Sequence, residues 1–406
     1  MTQEERELRR ALEARSGEVT PQFRARLSSA LTEGRPASNF LPALPALPAL
    51  AAVAAVVLVF ATVGVLLLAR QARNHPPPVA ANTPTASATP TPTAIPTATP
   101  VAGVVAGVLT KPPGRIDLPA GAQLSAPSRY VIWALMVDQY LYRSTDRGAT
   151  WKQEPLPPPQ GHLPQPELSF VSDADGWVIR GGSSVAQLDP CGIQATAVWH
   201  TTDAGTTWQL LPSKGIAASD CKSGLSFVDS SRGFLGAWDR NHPAIIYRTS
   251  DGGQTWTASQ PLPDPPGFKT VCSGCIGIQT GPVRAFGSTL LVSAWQPSDP
   301  GTQYVFSSID GGATWTYAAS PPRQDGNVDF VTATRWLELI GPGQSKETTD
   351  AGATWHAFAS DYSQAAPIAA DFVFADSQVG YGTVRGEISR TADGGLHWVQ
   401  IKSPGT

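Results

Sequence analysis

The sequence predicts an all-β protein: a six-bladed β-propeller of four-stranded antiparallel blades, preceded by a single transmembrane α-helix. Three observations lead to this prediction. One eight-residue turn pattern occurs six times between residues 144 and 398. A second pattern, Phe followed six residues later by Gly and then an aromatic residue, precedes several copies. An uncharged apolar run of 21 residues, Ala49 to Ala69, lies ahead of all of them.

The repeated turn begins with Ser or Thr, has Asp two residues later and Gly two further on, and ends on Trp. The copies span 144–151, 201–208, 249–256, 308–315, 348–355 and 391–398. Thr precedes the Trp in five copies, and His397 takes its place in the sixth. The carboxylate can accept hydrogen bonds from its own turn, and Gly supplies the positive φ of a tight hairpin. A side chain as large as Trp recurs where a groove recurs, which we expect to be the gap between neighbouring sheets.

We therefore expect structural roles for the repeated Asp and Trp residues. They are Asp146, Asp203, Asp251, Asp310, Asp350, Asp393, Trp151, Trp208, Trp256, Trp315, Trp355 and Trp398. A catalytic role for the six carboxylates is the alternative, but a reaction does not need six equivalent acids. Residues 173–176 could similarly form a calcium loop, and an ordinary turn explains them better. The sequence indicates no catalytic residue, metal site or cofactor.

The second pattern supplies the other half of each repeat. Phe170 to Trp177, Phe227 to Phe234 and Phe374 to Tyr381 each indicate a strand, a hairpin and a second strand. With the strand pair around the Asp turn, each unit has four antiparallel strands. The repeated Trp residues are 57, 48, 59, 40 and 43 residues apart. Four-stranded units of this length, repeated radially, predict a propeller.

The turn pattern Ser/Thr-x-Asp-x-Gly-x-Thr-Trp resembles the Asp-box, or bacterial neuraminidase repeat. The companion pattern is similar to propellers of the photosystem II assembly and stability factor family, and sialidases share the box. The resemblance implies the fold and a structural role for the box. It also implies that a seventh blade lacking a box is compatible with the sequence. We separately expect that residues 115–119 could complete the last blade and close the ring.

Composition divides the chain into four regions. We predict a cytoplasmic tail with short amphipathic helices at 1–48, a transmembrane helix at 49–70, a Pro/Thr-rich stalk at 71–115 and the propeller at 116–406. The apolar run matches the ~20 residues that cross a bilayer. A cleaved signal peptide is the alternative, but the preceding 48 residues are long for its leader. The stalk cannot form a core, and a linker inside the cell is the alternative to an extracytoplasmic stalk.

The charge pattern alone does not predict how the chain is oriented in the membrane, so the prediction uses other features. Arg70 and Arg73 follow the apolar run directly, so the positive-inside rule does not favour an external propeller. The four cysteines, Cys191, Cys221, Cys272 and Cys275, permit two disulfides, with Cys191–Cys221 and Cys272–Cys275 the expected pairs. A four-cysteine zinc site is the alternative, and the second Cys-x-x-Cys that it needs is missing. We expect the propeller outside and the tail inside.

Box turns should share one face of the propeller with the turns between the first and second strands. The opposite face carries more varied residues, and we expect a binding surface there formed by Arg180, Trp238, Arg240, His242, Trp295 and Arg385. Arginine and tryptophan would suit a carboxylate or an acidic, aromatic-bearing partner. The alternative is that these are scattered polar residues at hairpin tips.

Function is therefore expected to be binding: a membrane-anchored extracytoplasmic scaffold or assembly module for another protein. The net charge of −3 gives no reason to expect nucleic acid. A sialidase-like glycosidase or carbohydrate-binding protein is the main alternative. Arg115-Ile116-Asp117-Leu118-Pro119 approaches the Arg-Ile-Pro of sialidases without its adjacent Pro, and no Tyr–Glu pair can be identified. A cell-surface sensor that signals to the N-terminal tail is a further alternative.

Overall fold

Six antiparallel sheets follow one another along the chain in this computed structural model. It describes residues 103–118, 120–160, 166–184, 194–218, 220–238, 243–266, 277–296, 299–322, 327–341, 343–363, 371–384 and 386–406. Across these ranges, no helix has the length and apolarity needed to cross a bilayer. The predicted tail, transmembrane helix and most of the predicted stalk lie outside the described residues.

Each sheet contains the four strands predicted for one repeat. A short strand, β1 (Val104–Ala106), precedes them. Blade 1 comprises β2 (Ala122–Ser125), β3 (Ile132–Met136), β4 (Tyr140–Ser144) and β5 (Lys152–Glu154). Blade 2 comprises β6 (Glu167–Phe170), β7 (Gly176–Ser184), β8 (Gln194–Thr201) and β9 (Thr207–Leu210). Blade 3 comprises β10 (Cys221–Phe227), β11 (Gly233–Trp238), β12 (Ile245–Thr249) and β13 (Thr257–Ala258).

The remaining three blades repeat this order. Blade 4 comprises β14 (Gln279–Thr280), β15 (Arg284–Phe286), β16 (Thr289–Gln296), β17 (Asp299–Ser308) and β18 (Thr316–Ala319). Its first strand is split, because β14 and β15 both pair with β16. Blade 5 comprises β19 (Asn327–Phe330), β20 (Trp336–Leu339), β21 (Lys346–Thr348) and β22 (His356–Ala357). Blade 6 comprises β23 (Phe372–Phe374), β24 (Gly380–Val384), β25 (Glu387–Thr391) and β26 (Trp398–Gln400).

The blades form a closed ring around the first strand of each sheet. The first strands of consecutive blades are neighbours, as β2 and β6, β6 and β10, and β19 and β23 show. Strand β2 of the first blade also lies against β23 of the last one. The described residues form six blades, as the six boxes predict.

The hydrophobic core is divided among the six gaps between neighbouring sheets. Six apolar clusters fill them, and each cluster includes one of the box Trp residues. Trp208 is fully buried and Trp256 is only 4% exposed, while Trp151 is half-buried. Each of these side chains packs between its own blade and the preceding one. Each box Trp therefore lies in a gap between neighbouring blades.

In the companion pattern, the Gly position has no room for a side chain because the ring of the Phe six residues earlier packs against it. The ring of Phe170 lies directly over Gly176, so that a Cβ at Gly176 would overlap the ring. The same holds at Gly233, where a Cβ would lie 2.5 Å from Phe227, and at Gly380, where it would lie 2.7 Å from Phe374. Any side chain at these positions would displace the aromatic residue from the gap between blades.

The N-terminal segment joins the ring differently from expectation. Residues 104–106, within the predicted stalk, form β1 and pair antiparallel with β9 as a fifth, outermost strand of blade 2. The segment 115–119 does not complete the last blade, because all four strands of blade 6 come from residues 372–400. In the described part of this segment, Ile116 donates a backbone hydrogen bond to Gly405, and Ile116 and Leu118 pack in the apolar cluster between blades 6 and 1. The Pro- and Thr-rich composition of the region before residues 104–106 led to the prediction of a stalk, and three apolar residues are too few to indicate a strand within it.

Candidate functional site

The six box turns share one hydrogen-bonding arrangement. In the first copy, Thr150 donates to the Asp146 carboxylate from its backbone nitrogen at 2.8 Å and from its hydroxyl at 2.6 Å. The Ser144 hydroxyl donates to the same carboxylate at 2.7 Å and accepts from the backbone of Gly148 at 2.8 Å. The same partners recur in the other five copies, with the imidazole of His397 replacing the Thr hydroxyl in the sixth.

These bonds keep the box carboxylates ionised. Hydrogen bonds from Thr150, assisted by Ser144, lower the pKa of Asp146 to about 2. Hydrogen bonds from Thr354 and Thr348 lower the pKa of Asp350 to about 2 in the same way. Because each carboxylate is held by its own turn, this face offers repeated, internally satisfied groups rather than free acids.

The opposite face carries two of the predicted binding residues at equivalent places. Trp238 ends the second strand of blade 3 and pairs with Cys221, while Trp295 lies at the same end of blade 4 and pairs with Gln279. Both side chains are half-buried, and the indole nitrogen of Trp238 is buried without a hydrogen-bond partner among the described residues. The structure therefore places one aromatic residue on each of two neighbouring blades at this face.

Arg180 has a partner inside the protein. Its guanidinium donates to the backbone oxygen of Pro157, in the link that leads from blade 1 to blade 2. Burial lowers the pKa of Arg180 without removing its charge in the neutral range. The other predicted binding residues, Arg240, His242 and Arg385, lie outside the described residues.

Of the four cysteines, Cys221 is the one that lies within the described residues. Cys221 opens β10 beside Trp238 and is disulfide-bonded. Cys191, Cys272 and Cys275 lie outside the described residues, so the pairing remains a prediction.

Polar side chains on the innermost strands connect one blade to the next. Ser125, Ser169 and Ser226 occupy equivalent positions, opposite Trp133, Trp177 and Phe234 of their own blades. The Ser125 hydroxyl accepts a hydrogen bond from the backbone of Phe170 in blade 2 at 2.9 Å. Ser169 and Ser226 accept equivalent bonds from Phe227 and Val283 at 2.8 and 2.9 Å.

Two carboxyl groups make a second kind of connection. Glu167 of blade 2 accepts backbone hydrogen bonds from Gly224 at 3.2 Å and Leu225 at 2.6 Å in blade 3. Asp371, just before the first strand of blade 6, accepts one from Leu124 of blade 1 at 2.5 Å. Glu167 and Asp371 occupy equivalent positions, three residues before Phe170 and Phe374. They act across the second-to-third and the sixth-to-first junctions of the ring.

Burial perturbs these acids strongly. It raises the pKa of Glu167 to about 7, although the bonds from Leu225 and Gly224 oppose the rise. It raises the pKa of Asp371 to about 7, and the charge of Asp329 adds to the effect. Burial also raises the pKa of Glu338, on β20, to about 8, with Lys346 opposing. Perturbed acids often mark catalytic sites, but Glu167 and Asp371 are both committed to backbone amides of a neighbouring blade.

Sequence reasoning did not single out these inner-strand residues. A usable signal was present, because an acidic residue precedes the Phe of the companion pattern by three positions in both Glu167-Leu-Ser-Phe170 and Asp371-Phe-Val-Phe374. Nothing in the spacing, however, shows that such a side chain crosses to the next repeat.

Comparison with known proteins gives relatives at low identity. No family model matches the chain. The chain is 28% identical over 196 residues to the xyloglucanase Xgh74A of Acetivibrio thermocellus, a match that covers 43% of this chain and 22% of that protein. It thus spans about a fifth of the length of this curated relative.

Similar solved structures include both kinds of propeller that the sequence resembles. YCF48 bound to a D1 peptide is 17% identical with a TM-score of 0.41, covering 73% of this chain and 86% of that one. The Hadza microbial sialidase Hz136 is 15% identical with a TM-score of 0.43, covering 67% and 66%.

Proposed function

We propose that the chain is a membrane-anchored, extracytoplasmic binding module that recognises another protein through the face opposite the box turns. The propeller is a rigid platform in this proposal, and its varied strand ends provide the contacts. The apolar run at 49–69 and the stalk that follows it would hold the platform away from the membrane.

The observation that carries the proposal is the contrast between the two faces. On the box face, every box carboxylate is bonded within its own turn. On the opposite face, Trp238 and Trp295 are partly exposed on adjacent blades. Tryptophans that can be buried by a partner dominate the energy of many protein interfaces.

The test is capture of membrane and envelope proteins from the source cells by the full chain in detergent, with chemical crosslinking. We expect the Trp238→Ala/Trp295→Ala double variant to retain the fold and to bind its partner at least about tenfold more weakly. That decrease in affinity corresponds to ~1.4 kcal/mol of binding free energy. The matched control is Tyr130→Ala, since Tyr130 is 51% exposed on the box face. Equal capture by wild type and the double variant, with loss in the Tyr130 variant, would place recognition on the box face.

A second candidate function is binding or hydrolysis of a glycan chain. The sequence similarity to a xyloglucanase favours it, over about a fifth of that protein. Incubation of the same preparations with xyloglucan and sialylated glycans distinguishes the two. Release of reducing sugar or sialic acid that wild type shows and a Glu338→Gln variant lacks would support an enzyme, since Glu338 is a buried acid that bonds no neighbouring blade in the described residues.

The membrane topology is part of the proposal and needs its own test. Protease added to intact cells or protoplasts should reach the propeller, and Cys272 and Cys275 should resist thiol labelling until a reductant is added. A protected propeller with four labelled thiols would place the domain in the cytoplasm and reverse the orientation.

A further inference from the structure

On the box face, blade 4 has a much shorter hairpin between its first and second strands than the other blades have. Five residues join these strands in blades 2, 3, 5 and 6, at 171–175, 228–232, 331–335 and 375–379, and six join them in blade 1. In blade 4, β15 ends at Phe286 and β16 begins at Thr289, so the hairpin consists of Gly287 and Ser288. This hairpin and the box turn beside it, 308–315, lie wholly within the described residues.

The long hairpins cover the box turns of their own blades through one backbone hydrogen bond. The fourth box residue donates its N–H to a hairpin carbonyl in five copies, namely Arg147 to Tyr130, Ala204 to Ala174, Gly252 to Ser231, Ala351 to Thr334 and Gly394 to Gln378. Gly311, the fourth residue in blade 4, has no such partner among the described residues. A Cβ built at Gly311 would meet nothing within 4 Å, whereas one at Gly252 would lie 3.1 Å from Ser230. The box turn of blade 4 is therefore uncovered.

The uncovered turn also carries an apolar side chain. Ile309, the second residue of this box, is 80% exposed. The same position is polar or small in the other copies, where it is Thr145, Thr202, Ser250, Thr349 and Ala392. An isoleucine so exposed beside a free backbone N–H distinguishes this turn from the other five.

Arg248 of blade 3 belongs to the same junction. It directly precedes the box of its blade, as Arg143 and Arg390 precede theirs. Those two arginines donate to carbonyl oxygens on the box face of the following blade, Arg143 to Asp173 at 2.7 Å and Arg390 to Arg147 at 3.3 Å. The equivalent position in blade 3 thus faces the box-face turns of blade 4.

The strand register supports this placement. Arg248 lies directly opposite Phe234 on the neighbouring strand, so the two side chains share one face of the sheet. The ring of Phe234 packs against the box turn of blade 4, because a Cβ built at Gly312 would lie 2.9 Å from it. Arg248 is therefore on the side of blade 3 that meets the uncovered turn.

The guanidinium of Arg248 lacks the partners that Arg143 has. Arg248 is half-buried, and its Nε is buried without a hydrogen-bond partner. No carboxylate pairs with it within the described part of the chain. The two-residue hairpin of blade 4 explains this, because it offers no counterpart to the Asp173 carbonyl. A buried donor without a partner is costly, and a carboxylate is the group that best satisfies a guanidinium.

We propose that Arg248, Ile309 and Gly311 form a notch that docks an acidic loop of a partner protein. A backbone carbonyl of that loop accepts from Gly311, as hairpin carbonyls do in the other blades. An Asp or Glu side chain of the loop pairs with Arg248, and an apolar side chain covers Ile309. The notch lies on the box face, so it is a second surface, independent of Trp238 and Trp295.

The test is site-specific photocrosslinking of the full chain in intact source cells, with p-benzoylphenylalanine in place of Ile309. We expect a crosslinked partner peptide that has Asp or Glu beside the attachment point, identified by mass spectrometry. The matched control carries the same photoprobe in place of Thr349, the equivalent position in blade 5, whose hairpin is of full length. It should give little or none of this product.

The identified segment is then synthesised, and its binding to the full chain is measured by fluorescence anisotropy. Arg248→Ala should weaken binding at least about tenfold, which is within the range for one arginine at the centre of an interface. Replacing residues 287–288 by the five-residue hairpin 228–232 should weaken it similarly, because the graft covers Gly311. Arg232→Ala is the control, since Arg232 already pairs with Asp229 at 2.7 Å, and it should leave binding unchanged.

Three results would overturn the notch. They are equal crosslinking from positions 309 and 349, a product that is a second copy of this chain, a glycan or a lipid, and peptide binding that survives both Arg248→Ala and the graft. If the grafted chain does not fold, Ile309→Thr, which restores the residue of three other copies, is read in its place. Crosslinking that persists in the Trp238→Ala/Trp295→Ala variant separates this surface from the opposite face, so either proposal can fail alone.

Discussion

At the scale of single residues, each box Trp fills a gap between two blades, and its burial differs from copy to copy. Trp256 is 4% exposed, donates from its indole to Gly253 at 3.0 Å and meets Phe227 edge to face with the ring centroids 5.9 Å apart. Trp151 is half-buried, and its indole nitrogen donates to the backbone oxygen of Lys402, which lies 251 residues later in the chain. We therefore expect the same sequence pattern to contribute different amounts of stabilising free energy in different blades.

Trp256→Ala should lower the free energy of unfolding by about 3–5 kcal/mol, because a buried aromatic side chain is replaced by a cavity. Trp151→Ala should cost less, since solvent already reaches that side chain. Denaturant unfolding followed by circular dichroism gives both values. Equal losses, or a Trp256 variant as stable as wild type, would contradict the assigned burial.

At the scale of elements, the inner strands are connected by side chains that cross from one blade to the next. Serines do this at three junctions, and Glu167 and Asp371 do it with carboxyl groups. The box carboxylates, in contrast, accept their hydrogen bonds within their own turns. The ring is therefore joined at its centre by polar connections and between its sheets by apolar packing.

Glu167 should make the stability of the ring depend on pH. Its pKa is about 7 in the folded state against 4.5 ordinarily, so its contribution is greatest below about 4.5 and is lost as the pH rises through 7. Glu167→Gln should reduce the fall in stability between pH 5 and pH 8 by on the order of 1–3 kcal/mol. Melting temperatures at the two pH values give the comparison.

The matched control for Glu167 is Asp117→Asn, because Asp117 is an exposed carboxylate in the described residues. This variant should follow the wild-type pH dependence. A Glu167→Gln variant that also follows it would show that the carboxyl group titrates normally, and the assigned burial would then be wrong.

At the scale of the whole molecule, closure of the ring means that the first blade is stabilised by contacts with the last one. Strand β23 lies against β2, Asp371 bonds Leu124, and the indole of Trp151 bonds Lys402. Removing blade 6 would expose the apolar side chains of two gaps at once. The ring should then lose its cooperative folding.

A chain that ends at residue 363 should melt without a single cooperative transition and be degraded rapidly by trypsin. A chain that lacks residues 1–102 is the control, and it should melt cooperatively because it keeps all six blades. Scanning calorimetry with limited proteolysis makes the measurement. A cooperative transition in the shortened chain would show that the blades fold independently.

The sequence by itself determined the repeat, the four-strand unit, the number of blades and the place of the box Trp residues. It could do so because hydrogen bonds within a turn and alternation along a strand are local, and repetition makes a local pattern visible six times. Only the tertiary structure decided which side chains connect the blades. Glu167 and Leu225, or Asp371 and Leu124, lie far apart in the chain and meet because the ring closes. The same holds for β1, whose pairing with β9 depends on a free sheet edge that no local pattern reveals.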